Sequence, residues 1–155
     1  MKPQQFLTDV VEPNAIDAMK NPQSVRAAAN AILTMDALMG ICFWHLHAIG
    51  DPTATKHKNN DSAFKDELAS CNAVRVLRDA AFSLKHGKLT GPKPRVMDDA
   101  KQMNVRANVL GFFRVGDPLG GGLVYLDLQS GAVAARDVIS EGFKFLQAYV
   151  AALPP

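Results

Sequence analysis

The chain of 155 residues is poor in cysteine, with two, and in tryptophan, with one. Cys42 and Cys71 lie too far apart for a CxxC redox pair or a zinc knuckle, so a reducing compartment is the simplest expectation. An excess of charge of one sign is also missing. Lys and Arg number 17 against 15 Asp and Glu, and a formal +2 names neither nucleic acid nor membrane as a partner. Asp9 and Glu12 stand where a signal peptide would need an unbroken apolar stretch. The longest apolar run, residues 31–44, contains Asp36 and is short for a bilayer, so a cytoplasmic protein with no membrane-embedded part is expected. There is no internal repeat and no HExxH pair. The glycine-rich run at 116–122 lacks the Gly-Lys-Ser/Thr of a phosphate loop and opens no helix, which points to a hairpin turn. No motif in the chain assigns an activity by itself.

What is present is an ordinary globular composition, 48% hydrophobic and 21% charged, at the length of one domain spanning residues 1–155. The pattern predicts a mainly α protein: an up-and-down helical bundle over about 3–88, a β-hairpin or three-stranded sheet over about 104–135, and a C-terminal helix over about 137–153. Pro13, among Phe6, Val10, Val11, Ile16 and Met19, predicts one broken helix at the start. Asn21 as N-cap with Pro22 at the first helical position then opens a helix that Gly50 closes, about 40 Å long at 1.5 Å per residue. It carries one apolar stripe through Ile32, Met35, Met39 and Phe43 and another through Leu33, Ala37, Ile41 and Trp44. A helix apolar on two sides is central in its own domain or shared with a second subunit, so a homodimer is expected.

A polar loop over 52–60, in which His57 is expected to be solvated, leads to a third helix capped by Asp61 or Ser62 and ended by Gly87. Beyond residue 104 the period falls to 2: Val105, Ala107, Val109, Phe113 and Val115 form one side of a strand, and 122–128 another strand. Ser130-Gly131 turns the chain into a short third strand.

Charge is concentrated in residues 75–95, with six Lys or Arg and one acid, Asp79. Phe64, Leu68, Cys71, Arg75, Arg78, Phe82 and His86 recur at three or four residues, which on a continuous helix makes one face that begins apolar and ends basic. An arginine continuing an apolar stripe needs a carboxylate or a cleft, and Asp36 on the preceding helix is the expected partner. Two readings follow. In one, Arg75 and Arg78 bind a phosphate while His86 moves a proton near neutral pH. In the other, an Arg-Asp pair fixes helix register and His86 merely sits near a helix end. His45 and His47, two apart on a helix, point to nearly opposite sides, so neither a metal nor any other cofactor is expected.

The segments DALMGICFWHLH and RDAAFSLKHGKL, residues 36–47 and 78–89, resemble those of the HEPN-like helical-bundle proteins of bacteria, over roughly residues 22–90. The resemblance implies a helical bundle that often dimerises. It also implies, in many members, metal-independent RNA cleavage by an Arg and a His near one helix end, while other members only bind. By position the catalytic residues would be His86 and Arg78, with Arg75 assisting, and Lys85 and Lys88 would hold the RNA backbone. Asp79 would be the polar residue following the arginine. Seven residues separate Arg78 from His86, against the family's usual four to six. The function expected is that of a non-catalytic binding or dimerisation module with a protein or RNA partner. The alternative is a metal-independent endoribonuclease working at a dimer interface.

Overall fold

A computed structural model describes residues 1–57, 60–92, 94–107 and 121–155. The N-terminal segment runs as α1 (Pro3–Phe6), a π-helical stretch (Leu7–Val11) and α2 (Glu12–Lys20). The Pro13 ring has no N–H for the ladder. The chain meets that defect by widening into a π turn, in which the Glu12 N–H bonds to the Leu7 carbonyl.

α3 (Val25–Ala48) starts later than the Asn-Pro signal suggests. Asn21 closes α2 instead, its side chain bonded to Asp17 at 2.7 Å, and Ser24 is the N-cap of α3, accepting the Ala27 N–H at 3.2 Å. At the far end Gly50 takes φ +71, which lets the Asp51 N–H reach back to the Leu46 carbonyl at 2.9 Å.

α3 is the central helix and touches every other α-helix of the chain that is described. Ile32, Met35, Leu38, Met39, Cys42 and Phe43 are fully buried on it. Burying a side chain of this size stabilises the fold by about 1.5–3 kcal/mol, so this one helix supplies much of the core. Of the two stripes, that of Ile32 and Met39 is core. The Leu33–Ala37–Ile41–Trp44 stripe faces outward, and Trp44 is 52% exposed. By length and composition α3 could cross a membrane, yet 56% of its most apolar window is buried inside the protein.

The expected polar loop contains α4 (Pro52–Lys56), capped by the Asp51 side chain. His57, expected in solvent, has a side chain only 9% exposed, 2.8 Å from Glu67 and edge-on to Phe64. The expected third helix is two helices, α5 (Asp61–Leu68) and α6 (Asn72–His86). Asn60, rather than Asp61 or Ser62, caps α5 through bonds to the N–H groups of Ser62 and Ala63. The break follows Ala69 at Ser70, Cys71 and Asn72, three weak helix formers in a row, and Cys71 is extended. Gly87, at φ +77, ends α6.

After a single 3₁₀ turn (Ala100–Gln102) come β1 (Met103–Ala107), β2 (Gly122–Leu128) and β3 (Gly131–Ala134), an antiparallel sheet in the order β1-β2-β3. Met103 faces Leu126 across one ladder and Leu126 faces Val133 across the other. The expected strand residues Val109, Phe113 and Val115 and the hairpin turn lie outside the described residues. α7 (Ala135–Ala151) completes a mainly α fold with a small sheet, burying Ile139, Leu146 and Val150. Gly142 lets α7 lie close to α6: a Cβ there would come within 2.2 Å of the buried Leu77 side chain.

Candidate functional site

The charged cluster is built from α3, α5, α6 and the loop that follows α6. The interruption at 69–71 decides its geometry. On an unbroken helix Ser62 and Arg78 would stand about 24 Å apart. Here the Arg78 guanidinium donates from one terminal nitrogen to both the Ser62 hydroxyl, at 2.8 Å, and the Ser62 carbonyl, at 3.0 Å. Its other terminal nitrogen pairs with Asp66. Arg78 is therefore a clamp between α5 and α6 and is 7% exposed. Burial, followed by the repulsion of Arg95, lowers its pKa below the ordinary arginine value, and the field of Asp36, Asp79 and Asp61 opposes that fall.

Asp36 is not the partner of an arginine. It is buried on α3 and one of its oxygens receives both Lys65, at 3.2 Å, and Lys85. Lysine serves there because a flexible four-carbon stem can bring a point charge in from α5 or α6 without the fixed fork of arginine. Lys85, expected to hold an RNA backbone, is thus engaged by a carboxylate.

Asp79, the residue after Arg78 on α6, is engaged by the loop that follows the helix. Its carboxylate accepts Arg95 at 2.9 Å and the Val96 N–H at 2.8 Å, and the next turn adds Ser83, bonded to the Met97 carbonyl at 3.4 Å. These contacts strap the loop after α6 onto the helix. A backbone bridge between Lys88 and Asp99 closes its base, and the Lys88 side chain faces solvent.

His86 is exposed at the end of α6, with its ring 4.5 Å from that of Phe82. The Arg95 guanidinium lies 4.4 Å from the centre of the same Phe82 ring. Arg75 is exposed and makes no hydrogen bond or ion pair among the described residues.

Arg78 forms a wall common to two clefts. One, of about 230 Å³, is lined by Asp36, Ser62, Lys65, Lys85 and His86 as well as Arg78. The other, of about 470 Å³, is lined by Asp66, Ser70, Arg75, Asp79 and Pro94 along with it. Arg78 and His86 therefore line one cleft. Arg75 opens into the other cleft beside Arg78, and the break between α5 and α6 parts the apolar start of the expected face, Phe64 and Leu68, from its basic residues on α6.

Sequence reasoning missed Ser62 as a ligand of arginine, Asp66 as its ion pair, Lys65 as a partner of Asp36 and Arg95 as a partner of Asp79. A signal existed for the first two. Ser70-Cys71-Asn72 is a poor helix sequence, and a break there lets upstream polar residues fold back on Arg78. None existed for the contacts made by Lys65 and Arg95.

Elsewhere, His45 bonds to the Pro154 carbonyl at 3.0 Å and so ties α3 to the C-terminal residues, while the His47 ring lies against Phe43 and Trp44. Among the described residues no three His, Cys, Asp or Glu side chains are grouped to hold a metal. The chain matches no protein-family model, no curated protein and no solved structure.

Proposed function

We propose that this is a non-catalytic binding module of HEPN-like helical type, with a protein as its partner. The observation that carries this reading is the engagement of Arg78. Its guanidinium is held by Ser62 and Asp66, and the neighbouring Lys85 is paired with Asp36, which it shares with Lys65. A phosphorane-stabilising arginine needs donors aimed at the place where charge develops. To do so here, the buried Arg78 guanidinium would have to give up its bonds to Ser62 and its ion pair with Asp66.

A second reading, a metal-independent endoribonuclease, draws support from one observation: Arg78 and His86 line the same cleft. In it His86 would exchange a proton with the ribose hydroxyl, Arg78 would stabilise the phosphorane with help from Arg75, and Lys85 and Lys88 would hold the backbone.

Incubation of folded protein with varied RNAs in EDTA separates the two. The binding-module reading expects no cleavage by the wild type. Cleavage that survives chelation and disappears in both His86→Ala and Arg78→Ala at equal folded concentration would replace it with the ribonuclease.

A further inference from the structure

Two hollows adjoin at the start of α1. Trp44 stands beside one of about 510 Å³, which Met1, Lys2, Gln5, Ile41 and Ala48 help to line. The other, of about 230 Å³, lies between Pro3, Val150, Leu153 and Pro154. Lys2 and His45 line both, so together they make a groove from α3 to the C-terminal residues. Its walls are held. His45 is bonded to the Pro154 carbonyl at 3.0 Å, and Pro3 is buried. Trp44 is 52% exposed, yet its ring lies edge-on to that of the buried Phe43 at 5.1 Å and to that of His47 at 5.4 Å. Ile41, Trp44 and Ala48 fall within about 60° of arc on α3, so the apolar side of the groove is one helix face. A preorganised tryptophan at the lip of a concavity is the composition of a binding hot spot rather than of solvated surface.

Charge selects the occupant. No acidic side chain among the described residues lines either hollow, and Lys2 makes no side-chain bond or ion pair among them. α3 supplies no acid to the groove either: between Arg26 and Asp51 its only formally charged residue is Asp36, which is buried and paired. We infer that the groove takes an acidic segment of a partner protein, an Asp or Glu of that segment pairing with Lys2 while an apolar side chain beside it enters the hollow against Trp44. The inference rests on the protein-partner reading and names the chemistry by which the partner docks. An anionic bilayer is a poorer fit, being flat against a concavity and held by clusters of Lys and Arg rather than by one lysine. RNA is poorer too. A base can stack on a tryptophan, but the affinity comes from several cations set along the backbone, and Lys2 is the one lining side chain of fixed charge among the described residues. A single short segment buries less than the roughly 1,000 Å² of a stable interface, so micromolar affinity that falls with added salt is expected.

Trp44 is the only tryptophan in the chain, so its emission reports occupancy of the groove directly. The experiment selects a random linear peptide library, displayed on phage, against the immobilised full chain, and titrates the enriched peptides, made without tryptophan, into the free protein. Enriched peptides should place Asp or Glu within a few residues of Leu, Ile or Phe, and should change Trp44 emission on binding. Lys2→Glu alters an exposed side chain that makes no bond, so the variant should melt like the wild type and bind these peptides about tenfold more weakly. Exchanging the peptide's acid for Lys should restore binding to this variant and to no other, a swap that a change of structure alone would not produce. The inference is overturned if no peptide is enriched, or if Lys2→Glu binds the peptides like the wild type. Enriched peptides that leave Trp44 emission unchanged overturn the groove and leave the protein-partner reading standing, since that reading falls to RNA cleavage in EDTA. A shift of Trp44 emission by anionic vesicles or by oligouridine, with none by any peptide, would overturn the inference in favour of a membrane or a nucleic acid.

Discussion

Asp79 and Arg95 meet at 2.9 Å across the gap between α6 and the loop that follows it, and the second oxygen of the same carboxylate takes the Val96 N–H. The pair is largely buried, the Asp79 side chain being 8% exposed and that of Arg95 15%. Asp79→Ala leaves the guanidinium and a backbone N–H without their acceptor. The expected loss is about 3 kcal/mol, read from urea unfolding, with faster amide exchange at Val96.

Gly142→Ala is expected to destabilise, although alanine in a helix interior is ordinarily favoured over glycine by about 1 kcal/mol. The added methyl would meet Leu77, which is fully buried and has no room to retreat. Overpacking of this kind costs about 1–3 kcal/mol, and the melting temperature should fall by a few degrees.

Glu67 accepts Lys56 at 2.9 Å and His57 at 2.8 Å, and these bonds, that of Lys56 first, hold its carboxyl below the ordinary 4.5. A depressed folded-state pKa contributes stability that is complete above the unfolded value and lost as pH falls through the folded one. Wild type and Glu67→Gln should therefore differ in urea midpoint at neutral pH, and the difference should vanish as pH drops below 4.5. A constant gap across that range would show that the ionised form of Glu67 contributes nothing.

The two cysteines should separate chemically. Burial pushes the Cys42 thiol up to about 12, and Cys71 is partly exposed at the start of α6. Iodoacetamide at mildly alkaline pH is expected to add one group, at Cys71, to the native protein and two in denaturant, as mass spectrometry of the labelled peptides would show.

Much of the fold was legible because its signals are local. Gly50 and Gly87 close their helices, the period-2 run gives β2 over the residues expected, and Ser130-Gly131 leads into β3. What was missed depends on partners distant in sequence. Asn21-Pro22 has the form of a helix start, yet Asp17 engages the Asn21 side chain and Ser24 takes the cap. His57 reads as a loop residue, since nothing in the sequence places Glu67 and Phe64 around it. At the candidate site, spacing brought Arg78 and His86 to one cleft but named the wrong acid for Arg78. Asp36 goes to the two lysines, because the break before α6 brings Ser62 and Asp66 to the arginine first.

The central claim is that Arg78 holds α5 to α6 and is not free to act on a ligand. Urea unfolding of Arg78→Ala beside His86→Ala tests it most directly. The account predicts a loss of about 2 kcal/mol for Arg78→Ala, which removes a buried guanidinium with its bonds to Ser62 and Asp66, and a change within about 0.5 kcal/mol for the exposed His86→Ala. An Arg78→Ala protein as stable as the wild type would contradict it, since the guanidinium would then be available to a phosphate.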